Sequence, residues 1–228
     1  MQFTYYGHAC FAVVVNGKTL LFDPFITHNA LAESINVDTI SADYIFVSHG
    51  HQDHMADVKR IAERTNAKIV SNYEIVSWFE AQGLKNGHPM NTGGQWAFDF
   101  GKAKCVVAQH SSVLPDGTYG GNPMGFIIDG GNNNCFYYAG DTALTMDMKL
   151  IPHFCPQLNI ALLPIGDNFT MGMEDAALAA EFCGARKVVG LHFDTFGFIK
   201  IDHQKAKTTF GEKEIELLLP SIGETIEL

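Results

Sequence analysis

The segment His49-Gly50-His51-Gln52-Asp53-His54 restricts this chain more than any other. Three imidazoles and a carboxylate stand within six residues, directly after the apolar run Tyr44-Ile45-Phe46-Val47-Ser48. Such a run reads as a buried strand, so these side chains are delivered to one end of a sheet. Protonated, three imidazoles this close repel one another; buried without partners, they cost heavily. A divalent cation removes both penalties, because imidazole nitrogen and carboxylate oxygen are good ligands for zinc and similar ions. In an extended loop His49 and His51 project to the same side. Asp53 and His54 then fall on the following turn, where they can face a second ion. A solvated polar loop is the weaker alternative.

The rest of the chain predicts a sheet-rich α/β architecture with an internal repeat. Residues 11–15 and 19–22 read as strands joined by the hairpin turn Asn16-Gly17, and Asp23-Pro24 stops the second. Residues 27–39 read as loop, 56–64 as a helix with Val58, Ile61 and Ala62 on one face, 69–70 as a strand and 75–82 as a helix ended by Gly83. Residues 87–94 read as loop and 103–108 as a strand leading to His110. Then the first plan returns. Strands over 125–128 and 135–138 flank an Asn/Gly turn, and Gly140-Asp141 follows. A strand over 160–163, a helix over 174–183 and a strand over 187–191 complete the pattern, the last ending at His192. This is an imperfect duplication of a β-hairpin plus βα units, within a single domain spanning 1–228.

Composition narrows the function classes. Hydrophobic residues make up 46% and charged residues 18%, the latter below the usual quarter, so the chain has ample material for a core. The net charge of −10 disfavours long nucleic acids and anionic membranes. No apolar run reaches the roughly 18 residues of a membrane span, and no signal peptide is visible after Met1. Five widely spaced cysteines, an odd number without a C-x-x-C pair, argue against a disulfide framework and fit a reducing cytoplasm.

The H-x-H-x-D-H motif resembles the signature of the metallo-β-lactamase superfamily, and the resemblance extends over nearly the whole chain. It implies a four-layer αββα sandwich with two pseudo-symmetric halves. His110 after VVAQ, Asp141 in YYAGDT and His192 in VVGLHFDTF stand at positions similar to the family's later ligands. More narrowly, GHACF, AGDT, PIGDNFTMGMEDA and GLHFDTF resemble the small metal-dependent hydrolases of the UPF0173 group, related to sugar-lactone hydrolases acting on ascorbate 6-phosphate lactone. The resemblance implies one ion on His49, His51 and His110, a second on Asp53, His54 and His192, and Asp141 bridging them. Each ion would keep an open position, as catalytic sites do. It also implies that zinc β-lactamases carry Cys near the Asp141 step. Cys135 lies inside a strand and does not align, so an antibiotic hydrolase is disfavoured.

Beyond these ligands, His8 in the Gly-His pattern is a candidate neighbour of the metals. Asp23 holds in the first hairpin the place of Asp141 in the second, and could orient a ligand histidine. Asp167 and Asn168 are candidates for the substrate mouth. His28, His88, His153 and His203 match no ligand position, and Phe193, Phe196 and Phe198 read as core or pocket wall.

The expected activity is hydrolysis by a hydroxide shared between two divalent ions, with Asp53 as catalytic residue orienting the nucleophile or shuttling its proton. Zinc is the first expectation, with manganese, nickel and iron compatible. The expected substrate is a small ester or lactone, and the UPF0173 resemblance implies a phosphorylated sugar lactone. The alternatives are a small phosphodiester, a diiron oxidoreductase, for which the chain leaves no room for a flavin module, and a non-catalytic metal-binding or scaffold protein. A homo-oligomer is left open.

Overall fold

In a computed structural model describing residues 1–228, each of the two hairpins becomes the middle of a seven-stranded sheet. The first sheet is built from β1 (Gln2–Gly7), β2 (Cys10–Val15), β3 (Lys18–Phe22), β4 (Tyr44–Phe46), β5 (Lys68–Asn72) and β6 (Gly87–Met90). The second takes β7 (Gln95–Phe98), β8 (Gly101–Val107), β9 (Met124–Asp129), β10 (Cys135–Tyr138), β11 (Ile160–Pro164), β12 (Lys187–Leu191) and β13 (Glu216–Leu218). The last strand, β14 (Thr225–Glu227), returns to the first sheet beside β1. The orders are β14-β1-β2-β3-β4-β5-β6 and β13-β12-β11-β10-β9-β8-β7.

The predicted duplication is visible in the pairing. Strands β1 to β3 are antiparallel and β3 to β6 parallel. Likewise β8 to β10 are antiparallel and β10 to β13 parallel. In both halves the antiparallel hairpin ends in an aspartate, Asp23 after β3 and Asp141 after β10.

Strand alternation separates the layers. On β4, Tyr44 and Phe46 face the other sheet while Ile45 faces outward; on β10, Phe136 and Tyr138 face inward while Tyr137 faces outward. The inner faces meet in an aromatic core. Phe11 and Phe22 stack with centroids 4.6 Å apart, and Phe46 meets Phe126 of the opposite sheet edge-on at 5.2 Å. Outside the first sheet, α2 (Val58–Thr65) and α3 (Tyr73–Ala81), which follow the short α1 (Gln52–Met55), cover Leu21 and Ile45 with Val58, Ile61, Ile75 and Phe79. Outside the second, after the short α4 (Ile151–Phe154), lie α5 (Met173–Cys183) and α6 (His203–Gly211). They bury Ala176, Ala177, Ala180 and Phe210 over Tyr137 and Leu163. The result is the expected αββα sandwich. No helix is long and apolar enough to cross a membrane.

Three readings need correction. Residues 87–90, expected as loop, form β6, parallel to β5. Its sequence Gly-His-Pro-Met does not alternate, and Pro89 is tolerated because the strand is at the edge. The helix expected over 56–64 is preceded by α1, and the two are separated at Ala56-Asp57, where the Asp57 N–H donates to Pro24 O at 3.0 Å. Cys135 and Cys155 are disulfide-bonded, while Cys10, Cys105 and Cys183 are free and buried. Sequence spacing carries no information on such a pairing; it arises because β10 and the end of α4 pack in one outer core.

Candidate metal centre

The predicted ligands gather at one end of the two sheets because each follows a strand. His49 and His51 follow β4, and Asp53 and His54 occupy α1. His110 follows β8, Asp141 follows β10 and His192 follows β12. The tight turn at Gly50 is enforced by its surroundings: a Cβ there would sit 3.0 Å from the Val113 carbonyl oxygen, and its N–H donates to Ser112 Oγ at 3.0 Å. At Gly140, φ is +64°, which brings Asp141 inward at a position few side chains tolerate. His8, Asp23 and His192 also take positive φ, at 56°, 42° and 56°. Aspartate and histidine accept that region more readily than most residues.

Asp141 is at the centre. Its Oδ2 lies 3.0 Å from His192 Nε2, 3.2 Å from His54 Nε2, 3.8 Å from His110 Nε2 and 3.9 Å from His49 Nε2. On one side His49, His51 and His110 present nitrogens within 4.8 Å of one another. On the other, His8, Asp53, His54 and His192 do the same. Most of these groups are buried; Asp53 is the carboxylate that reaches outward, with 26% of its side chain exposed against 3% for Asp141.

Asp23 organises both sides from behind. Its Oδ1 accepts the Ser48 N–H at 2.7 Å. Its Oδ2 accepts the Ser48 hydroxyl at 2.6 Å, the Tyr138 hydroxyl at 2.5 Å and His54 Nδ1–H at 2.8 Å. Since the Ser48 hydroxyl donates to Asp23, its oxygen is left to accept from His49 Nδ1–H at 2.9 Å. One fully buried carboxylate thereby sets the tautomer of two histidines, leaving each Nε2 directed into the cluster. Sequence reasoning placed Asp23 but missed Ser48 and Tyr138. The signal was available: Ser48 abuts the motif, and Tyr138 occupies the inward phase of its strand.

His8 is buried beside the second group. Its Nε2 lies 3.1 Å from Asp53 Oδ2 and its Nδ1 3.0 Å from Thr195 Oγ1. Both ring nitrogens are thus engaged, which suits an orienting role toward Asp53 better than a ligand role. Asp167 and Asn168 are exposed and stand apart from the cluster, in a depression shared with Glu174, Lys200 and Lys205. Phe193 is in the core, whereas Phe196 and Phe198 line a cleft that reaches Asp53.

The electrostatics ask for a cation. Burial holds His49, His51 and His110 below the ordinary imidazole value, against the opposing pull of Asp141 and, at His51, of Asp53. Burial and the nearby His192 push His8 down to about 3. His54 goes the other way: burial opposes its charge, but Asp141, Asp53 and Asp23 together raise it well above the ordinary value. Three carboxylates here draw positive charge inward. His54 Nε2 is also fully buried without a hydrogen-bond partner, a state expected of a ligand atom rather than a structural one. The nitrogen and oxygen donors and this orphaned atom fit divalent metal ions.

Comparisons with known proteins agree with that fit. Two mixed sheets between helices, with a His/Asp cluster at their shared end, define a metallo-hydrolase of the β-lactamase type. A profile of the β-lactamase superfamily domain matches residues 18–193. The solved structure of Igni18, a metallo hydrolase from the archaeon Ignicoccus hospitalis, superposes with a TM-score of 0.87 at 31% identity, covering 99% of this chain and 97% of that one. A UPF0173 metal-dependent hydrolase of Flavobacterium johnsoniae is 55% identical over 228 residues, and one of Bacillus subtilis 41% identical over 233, with the whole of each chain covered. The chain belongs to the β-lactamase superfamily, and within it to the UPF0173 metal-dependent hydrolases.

Proposed function

We propose that this hydrolase cleaves a small ester or lactone at a dinuclear metal centre. His49, His51 and His110 would hold one ion, Asp53, His54 and His192 the other, and Asp141 would join them. The observation that supports two ions is the position of Asp141 Oδ2, within 3.9 Å of Nε2 atoms from both groups. When bound, divalent ions would supply Lewis-acid chemistry, making water a nucleophile near neutral pH and polarising the electrophilic oxygen. The chain's own residues do the rest. Asp53, part-exposed to the cleft, orients the attacking water and holds its proton on the oxygen that His8 leaves free. His8 donates Nε2–H to that carboxylate and keeps it pointed at the reacting centre, with Thr195 fixing the ring from behind. Asp23 keeps the His54 and His49 rings from rotating as charge develops in front of them.

The test is a panel of esters, lactones and bis(p-nitrophenyl) phosphate, with wild type and Asp141→Ala. Ester or lactone turnover that falls at least about a hundredfold in the variant, more than 2.7 kcal/mol of transition-state stabilisation, is the expected result. Faster turnover of the phosphodiester would replace the carbonyl reading, and unchanged turnover in Asp141→Ala would move the chemistry elsewhere.

A further inference from the structure

An aromatic cleft opens from Asp53 to solvent, with a volume of about 850 Å³, within the size range of small-molecule sites. Phe25, Phe169, Phe196 and Phe198 form its wall. Three of these rings are exposed: Phe169 by 51%, Phe196 by 38% and Phe198 by 78%. They fall into two groups along the one cleft. Phe196 lies 5.3 Å from the His8 ring and 6.3 Å from Phe25, and Phe169 meets Phe198 edge-on at 6.3 Å. Concentrated exposed apolar surface of this kind marks a binding face, and this one shares its cleft with the carboxylate at the reacting centre.

What the cleft lacks is equally informative: neither lysine nor arginine lines it. Lys200 and Lys205 border a separate depression, which shares Phe198 with the cleft, together with Asp167, Glu174 and Asp202. Lys205 Nζ is already paired with Glu174 Oε1 at 3.0 Å. Away from the Asp53 end, where the ions would sit, a phosphate or carboxylate on the substrate would therefore meet phenyl faces, with only the uncharged polar groups of Gln52 and Thr195 and the His28 imidazole in the lining to offset its desolvation.

We infer that the cleft binds a neutral apolar substituent, an aryl or alkyl group, beside the bond that is cleaved. This deepens the ester or lactone reading and rests on it for the reaction, while the binding preference stands on the cleft alone. A phosphorylated sugar lactone is disfavoured as substrate.

The experiment separates the two. Binding of 4-phenylbutan-1-ol and of glucose 6-phosphate is measured calorimetrically on wild type, Phe198→Ala, Phe198→Glu and Phe169→Ala. The expected result is binding of the alcohol, weakened about tenfold or more by each variant, because truncating a contacting ring removes 1.4 kcal/mol or more. The sugar phosphate is expected not to compete. Equal alcohol binding by wild type and all variants, or preferential binding of the sugar phosphate, overturns the inference. In parallel, methyl 4-phenylbutyrate and methyl acetate are compared by kcat/KM, with the ratio expected to favour the phenyl ester and to fall in Phe198→Ala. If the alcohol binds as expected but no ester or lactone is hydrolysed, the aromatic subsite stands and the reaction assignment fails.

Discussion

Asp23 illustrates how much of this site is decided by single atoms. It touches no position where substrate could sit, yet its two oxygens accept four hydrogen bonds and fix two imidazoles. Removing it leaves His54 Nδ1, Ser48 and Tyr138 buried without an acceptor. Asp23→Ala is therefore expected to weaken metal affinity by about 10–100-fold, measured by competition with a chromophoric chelator. Unchanged affinity would mean that packing alone orients the rings. The candidate ligands themselves were legible from sequence, because H-x-H-x-D-H is dense in donors and the remaining three each end an apolar strand. The atoms behind them were less so. Ser48 and Tyr138 are ordinary residues whose importance comes from a contact between β3, β4 and β10, far apart in the chain, and Thr195 meets His8 only because β1 and β12 end side by side, where His192 N–H donates to His8 O at 2.9 Å.

At the scale of elements, the central strands were readable and the edges were not. Phe11 to Val15 and Cys135 to Tyr138 carry apolar side chains on both faces because both faces are covered. Edge strands β6, β7 and β14 lack that pressure: the first reads as loop, and the other two carry no strand signal. Helix α6 was missed for a related reason: its buried residues are only Ala206 and Phe210. The link between β3 and α1 depends on one side chain. Asp57, buried between α1 and α2, accepts the N–H groups of Ile26 and Thr27 at 2.7 and 2.9 Å and also the Thr27 hydroxyl. Asp57→Ala leaves these donors unmatched, and a loss of about 1.5–3 kcal/mol in unfolding free energy is expected, read by urea denaturation. A loss below 0.5 kcal/mol would show that water replaces the carboxylate without penalty. Phe25, which begins that segment, also lines the aromatic cleft, so the same variant should loosen apolar ligand binding.

For the whole molecule, the site is a charge arrangement that the fold must tolerate when no ion is bound. His8, His49, His51 and His110 are held below the ordinary imidazole value of about 6.5, first of all by burial. They stay neutral in the folded state, so the unfolded chain binds more protons as pH falls below about 6.5, and stability drops. His54 is raised despite its burial; its contribution is complete below about 6.5 and is lost as pH rises through its folded value. Asp53 and Asp141, held low by neighbouring histidines against the opposing effect of burial, add stability that is lost only in stronger acid. The metal-stripped protein should therefore be most stable near pH 6.5, with losses on both sides, and saturation with metal should flatten the alkaline side. Denaturation midpoints across pH 5 to 9 with and without metal check this; a profile of the stripped protein that rises steadily to pH 9 would contradict it.

The central claim is that two ions act together in this one cluster. Its most direct measurement is a metal titration of chelator-stripped protein followed by both bound metal and ester hydrolysis. The account predicts that stripping abolishes turnover, and that activity returns in proportion to the filling of two equivalents of Zn²⁺ or Mn²⁺ per chain. Full turnover after stripping, or complete recovery at one equivalent with no second ion bound, would contradict it.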